Sequence, residues 1–293
     1  MIGYSIFRSV ILNETSQIRL CRRTGSGTGK QLSMHDILGG GSEVLAKAYP
    51  PAPEPLVVYI VGDIHGRLDL LLEMQERIDK DKRQFGTRQV VEIYLGDYID
   101  RGADSAGVIS RLIERGSEVQ ARFLRGNHEQ LLLDFFHGDD CLREWRAVGG
   151  SATLLSYGVE PDLLTREVRA DAVRRTFKER VPNAHQQFYL ESGSYISIGA
   201  YLAVHAGLRP GVSLEKQRTR DLLGIRSDFL DHTGDFGCIV VHGHTPVPEP
   251  DLRRNRINID TGAFATNRLT CIRINAEGVG VLLEDSCRIA ERP

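Results

Sequence analysis

The sequence lacks any long apolar run. Its longest uninterrupted stretch, Leu56 to Val61, falls far short of the roughly 20 residues a membrane-spanning helix needs. It also lacks a dominant charge. Lys plus Arg number 37 and Asp plus Glu 39, a formal net charge of −2, which argues against a basic footprint for nucleic acid or for an acidic membrane surface. Cysteine is scarce and badly placed for cross-linking. Cys21, Cys141, Cys238, Cys271 and Cys287 are odd in number, widely spaced and without a C-x-x-C pair, so neither a disulfide framework nor a thiolate zinc site is expected. The N-terminal MIGYSIFRSVIL has no charged region ahead of it and no small-residue cleavage site after it, so no secretory signal is expected. These absences predict a cytoplasmic protein with neither a nucleic-acid nor a membrane partner.

Glycine and proline punctuate the first 55 residues. RTGSGTGK (Arg23 to Lys30), GGG (Gly39 to Gly41) and PPAPEP (Pro50 to Pro55) are breaker and linker compositions. They predict a flexible N-terminal extension over 1–55, with a short amphipathic helix around Ser42 to Ala48. GSGTGK is not a phosphate-binding P-loop. Thr24 stands where the first Gly of that motif belongs, and Gln31 where Ser or Thr should follow the lysine.

From Leu56 the pattern changes. LVVYIV (56–61), VVEIYL (90–95) and VQARFL (119–124) read as buried strands. Between them, Leu68, Leu71, Leu72 and Ile78 predict one helix face, and Ile109, Leu112 and Ile113 another, capped by Ser105 and stopped by Gly116. Strand, helix, strand, helix, strand implies parallel β-α-β units. Residues 129 to about 190 read as mostly helical. Five strands follow: 201–206, 238–243, 256–260, 268–274 and 279–284. The expected architecture is one α/β domain over 56–290, a sandwich of two mixed sheets flanked by helices.

The first three strands each end in a glycine followed at once by ligand-type residues: Gly62-Asp63-Ile64-His65-Gly66, Gly96-Asp97-Tyr98-Ile99-Asp100-Arg101-Gly102 and Gly126-Asn127-His128-Glu129. Two later strands add His205 and His244. Sites in α/β sheets form beyond the carboxyl ends of strands, so these loops should meet at one edge. Taken singly, each motif is most simply a turn; their shared position points to chemistry. Mixed imidazole and carboxylate donors suit manganese, iron, zinc or nickel. Six protein ligands exceed what one open catalytic ion needs, and suit two ions about 3.5–4 Å apart sharing a carboxylate.

GDIHG, GDYIDRG and RGNHE, with VHAGLRP and VHGHTP after them, resemble the signature of the phosphoprotein phosphatase (PPP) family of calcineurin-like metallophosphoesterases, in its bacterial and phage, lambda-phosphatase-like branch. The resemblance covers about residues 56–265. It implies that Asp63 and His65 bind a first metal, that Asp97 bridges, and that Asn127, His205 and His244 bind a second. It implies further that Arg101 and Arg226 hold the substrate phosphate and that His128 is the general acid, oriented by Asp100. Arg226 lies in LLGIRSDF, which lacks the tryptophan of the corresponding bacterial motif. The implied cofactor is a pair of divalent ions, manganese first, with iron, zinc or nickel as alternatives.

Physical chemistry gives these residues their sense. Two cations neutralise a phosphate dianion and generate a bridging hydroxide for direct attack. Guanidinium forks clamp phosphate oxygens, and an imidazole can protonate the leaving alkoxide. The leading expectation is a serine/threonine protein phosphatase, extending to phosphotyrosine or to small phosphoesters. The enzyme alternative is a symmetrical dinucleoside tetraphosphate hydrolase, against which GNHE rather than GNHD is set. A non-enzymatic binding module on the same fold would be marked by lost ligands, and none is lost.

Overall fold

In the strand Leu56–Val61 (β1), Val57, Tyr59 and Val61 face one side and Val58 and Ile60 the other, and all five are buried. The period-2 alternation of a strand sends both sets into apolar cores, and each fully buried side chain of this size contributes roughly 1.5–3 kcal/mol. The first set packs beneath helices with Leu70, Met74, Ile109 and Trp145. The second set, with Ile93 and Ile272 of the same sheet, packs against the other sheet through Ala203, Val241 and Ile257.

In this computed structural model the described residues are 49–86, 88–164 and 169–283. They lie within one unit of the chain, residues 31–293. The remaining strands are Gln89–Tyr94 (β2), Ala121–Phe123 (β3), Tyr195–Ile198 (β4), Tyr201–Val204 (β5), Ile239–His242 (β6), Asp251–Leu252 (β7), Arg256–Asn258 (β8), Thr270–Asn275 (β9) and Gly278–Leu283 (β10). One sheet has the order β10-β9-β1-β2-β3 and the other β4-β5-β6-β8-β7. Each is mixed: β1, β2 and β3 run parallel with β9 antiparallel between β1 and β10, and β5, β6 and β8 run parallel with β4 and β7 antiparallel at the edges. This is the expected α/β sandwich of two mixed sheets. A third apolar cluster, with Leu222 and Phe229, covers the outer face of the second sheet.

Several local expectations need correction. The helix Ser105–Glu118 is capped by Asp104, whose carboxylate accepts from the Gly107 N–H at 2.7 Å, rather than by Ser105. It also runs through Gly116, because a Cβ there would stand 3.2 Å from the Phe123 ring, so close packing explains the glycine better than termination does. In the helix Leu68–Lys82 the buried face is Leu70, Leu71, Met74 and Ile78, while Leu72 is exposed. Strand β4 was not foreseen. The extension expected over 1–55 lies outside the described residues up to 48, and so does the helix expected at 42–48. Within residues 49–55, Tyr49 and Ala52 join the inter-sheet core while the residues between and after them are exposed, and the Ala52 N–H donates to the Asn275 carbonyl at 2.8 Å. Cys141, Cys238 and Cys271 are free thiols; Cys21 and Cys287 lie outside the described residues. No described helix is long and apolar enough to cross a membrane.

Candidate metal centre

Five strand ends converge. Asp63 and His65 follow β1, Asp97, Asp100 and Arg101 follow β2, Asn127 and His128 follow β3, His205 follows β5 and His244 follows β6. The backbone stitches these loops together. Ile64 and His65 N–H donate to the Asp97 carbonyl at 3.1 and 2.8 Å, Gly102 N–H to the His65 carbonyl at 3.0 Å, and Gly243 N–H to the His205 carbonyl at 2.8 Å. The turns are tight enough to force left-handed backbone on side chains that resist it: φ is +48° at His65, +49° at Asp97, +72° at Asp100, +68° at Arg101 and +67° at His244. Gly66 shares that region (φ +64°), and a Cβ there would come 2.7 Å from the Gly102 carbonyl oxygen, so only glycine fits.

Asp97 is the hub. Its Oδ1 lies 3.4 Å from His205 Nε2 and its Oδ2 3.6 Å from His65 Nε2. Both imidazoles have a fixed tautomer, because His65 Nδ1 lies 2.9 Å from the Ile99 carbonyl and His205 Nδ1 3.0 Å from the Leu95 carbonyl, and a carbonyl can only accept. Burial holds both rings neutral, the His65 pKa falling to about 3 and that of His205 shifting down as well. Each ring therefore turns a bare Nε2 lone pair toward a carboxylate oxygen, and His205 Nε2 also faces Asn127 Oδ1 at 3.0 Å. Acceptors facing acceptors in a buried site repel one another unless cations lie between them. The donor set thus fits divalent ions on both sides of Asp97.

The two ends differ in detail. On one side Asp97, His205 and His244 offer ligand atoms within 4.8 Å of one another, with Asn127 Oδ1 2.7 Å from His244 Nδ1. On the other side the comparable cluster is His65, Asp97 and His128, and Asp63 stands beside it. Asp63 Oδ2 accepts the His244 N–H at 3.0 Å, while Oδ1 is buried without a hydrogen-bond partner. Burial, with Asp260 and Asp97 close by, pushes the Asp63 carboxyl well above its usual range. An uncompensated buried oxygen of this kind is what a metal ligand looks like before its ion is added.

His128 Nδ1 lies 2.6 Å from Asp100 Oδ2, and its Nε2 lies 3.2 Å from Arg101 Nη2. Burial disfavours the His128 imidazolium, but the Asp97 carboxylate and the Asp100 hydrogen bond outweigh it and lift the pKa to about 9. Arg101 can only donate, so its contact calls for a bare Nε2 instead. The two point to different protonation states, a doubly protonated ring against a neutral one with its proton on Nδ1 toward Asp100; a ring that acts as an acid takes its second proton at Nε2, in place of the Arg101 contact. Asp100 is itself gripped: Trp145 Nε1 donates to Oδ2 at 2.9 Å and Thr153 Oγ1 to Oδ1 at 2.6 Å. Neither Trp145 nor Thr153 carries a sequence signal for this role.

Arg226 is exposed, its Nη1 donating to Thr245 Oγ1 at 3.2 Å next to His244. His242 is buried outside the cluster against Phe229. Glu129 organises the surrounding backbone. It is fully buried and accepts four backbone N–H groups, from Asp97 (2.8 Å), Gly126 (2.9 Å), Tyr98 (2.8 Å) and Ile99 (3.3 Å). Arg125 is structural too, donating to the Tyr189 and Leu190 carbonyls. Asp260, missed in the sequence, is buried near Asp63 and accepts the Gly262 N–H at 2.9 Å.

Residues 56–276 match the family described as calcineurin-like phosphoesterase. The chain is 31% identical over 240 residues to the asymmetrical bis(5'-nucleosyl)-tetraphosphatase PrpE of Oceanobacillus iheyensis, covering 73% of this chain and 87% of that one. It is 28% identical to the PrpE of Anoxybacillus flavithermus, covering 74% and 90%. Among solved structures, a candidate diadenosine tetraphosphatase superposes with a TM-score of 0.55 at 18% identity, covering 81% of this chain and 98% of that one, which is a likeness of fold. With the expected sandwich in place and its strand-end donors gathered on Asp97, the chain belongs to the calcineurin-like metallophosphoesterase family of metal-dependent phosphoester hydrolases.

Proposed function

We propose that this protein is a binuclear metal-dependent hydrolase of dinucleoside polyphosphates. The observation that carries the binuclear reading is Asp97, whose two oxygens face two bare imidazole nitrogens from opposite sides. Asp63, His65 and Asp97 would hold one ion, and Asp97, Asn127, His205 and His244 the other. Bound manganese, or iron, zinc or nickel, would neutralise the phosphate and supply an activated water. Support for the substrate class comes from the relatives named as tetraphosphatases. Arg101 stands beside His128 and the exposed Arg226 beside His244, so two guanidinium groups are available to phosphate oxygens.

A second reading, a phosphomonoesterase of the serine/threonine protein phosphatase type, draws support from the buried His128–Asp100 pair. An alkoxide leaving group needs a proton and an imidazole can deliver it, whereas a nucleotide leaving group departs readily without one. The deciding test compares manganese-reconstituted enzyme on diadenosine tetraphosphate, phosphoserine, phosphothreonine and phosphotyrosine peptides, and a chromogenic aryl monoester. The expected result is the highest kcat/KM on the dinucleotide. A preference for the peptides would replace the first reading with the second, and full activity in enzyme stripped of metal would end both.

His128→Asn separates the roles within the site. On phosphoserine it should lower kcat by roughly 10²- to 10³-fold, as expected for loss of a general acid, with far smaller losses on the aryl ester and the dinucleotide. Metal content, measured by mass spectrometry, should survive. Equal losses on all substrates would remove His128 from proton transfer.

A further inference from the structure

Phe264 is a large apolar side chain left 37% exposed at a site otherwise built of charges. It is carried by the short helix Ala263–Thr266, which follows β8. The helix is pinned in place. Arg67 Nη1 donates to the Ala263 carbonyl at 3.0 Å and to Asn267 Oδ1 at 2.6 Å, and Thr266 Oγ1 donates back to the Thr261 carbonyl at 2.7 Å. The ring stands edge-on to the His65 imidazole, 5.4 Å between centroids, and the Arg101 guanidinium lies 4.5 Å from its centre. More than a third of Phe264 therefore stays in water beside the Arg101 guanidinium and the metal-ligand candidate His65. An exposed apolar face next to a guanidinium suits a ligand that has both a phosphate and a flat apolar face.

We propose that Phe264 is a specificity-determining residue that stacks the nucleobase attached, one sugar away, to the phosphate held at Arg101 and the Asp97 centre. This rests on the dinucleotide reading above and extends it: the ring selects for a base on the phosphate side that is attacked. An unequal cut of a four-phosphate bridge releases a nucleoside monophosphate, so adenosine monophosphate probes the same position without any turnover. Ribose 5-phosphate differs from it only in lacking the base.

The test is calorimetric binding of both compounds to manganese-loaded protein, for the parent chain, Phe264→Ala and Phe264→Trp. In the parent, adenosine monophosphate should bind more tightly than ribose 5-phosphate. Phe264→Ala should weaken the nucleotide by roughly 10-fold, the usual scale for one stacked base, and ribose 5-phosphate by no more than about 2-fold, within the reach of a weakened cation–π contact to Arg101. Phe264→Trp should restore the nucleotide preference. Equal weakening of both ligands in Phe264→Ala would overturn the proposal, assigning Phe264 to the placement of Arg101. So would a nucleotide preference that survives the alanine, or one absent from the parent. The substrate reading fails separately: a parent that ignores diadenosine tetraphosphate but binds the nucleotide through Phe264 loses the dinucleotide assignment and keeps the base-stacking site.

Discussion

Replacing Asp97 by asparagine should strip the protein of metal and of activity together. One side of the new group becomes an amide N–H₂, a donor where a cation is needed, and the surviving oxygen cannot serve both His65 and His205. Manganese content after dialysis should fall from two ions per chain to one or fewer. The kcat/KM on any phosphoester should drop by at least roughly 10²- to 10³-fold, the scale of losing electrostatic stabilisation at the reacting group. The fold should remain, because the Asp97 backbone still makes its bonds to Ile64 and His65. An Asp97→Asn protein that keeps two ions would refute the shared-carboxylate arrangement. An unfolded one, seen by circular dichroism, would show that the side chain is needed by the scaffold as well.

Glu129→Ala should damage the molecule differently, through stability first. Its carboxylate terminates four buried N–H groups of the Asp97 and Asn127 loops. One of them is the Gly126 N–H, reached from the third residue of the helix Asn127–His137 in the manner of half a capping box. Burial pushes the Glu129 carboxyl up to about 7, with Asp97 adding to the push, while the Gly126 and Tyr98 N–H groups draw it back down. Four donors on two oxygens suit the ionised form. Alanine leaves all four unpaired in the interior, a loss of roughly 3–5 kcal/mol. For a domain of this size that lowers Tm by roughly 6–20 °C, measurable by scanning calorimetry. Metal affinity should fall with it, since Asp97 and Asn127 lose their anchor. A Tm within about 2 °C of the parent would contradict the role drawn here, given the usual sensitivity of Tm to stability.

These two residues also show what was legible in the sequence. Asp97 is readable because its signal is local: an apolar strand, a glycine and a carboxylate in consecutive letters, at the ends of β1 and β2, with asparagine in the carboxylate's place after β3. Glu129 was visible in RGNHE, but its task was not. In RGNHE the letter counts against dinucleotide hydrolases; in the fold the side chain is buried and accepts from the backbone of the Asp97 loop and from Gly126. Trp145 and Thr153, which grip Asp100 from 45 and 53 residues away, had no local pattern to announce them; a tryptophan in a helical stretch reads as core, which it also is. Phe264 escaped for the opposite reason, being a lone aromatic in a loop where no periodicity gives it meaning. The helix boundaries at Asp104 and Gly116 were misplaced because neighbours in space, the Gly107 N–H and the Phe123 ring, outweighed single-residue preferences.

The left-handed turns at His65, Asp97, Asp100, Arg101 and His244 set the direction in which such a sequence drifts. Each is held against its backbone preference at a cost of order 1–3 kcal/mol, and glycine at any of them would relieve the strain while deleting a working group. Mutations that silence this centre therefore tend to make the chain sturdier. A descendant freed from hydrolysing phosphoesters would lose its chemistry downhill, keeping the sandwich and its stitched loops while its catalytic letters turn one by one into glycine. Keeping five non-glycine residues at these turns costs backbone strain that the rest of the sandwich must offset.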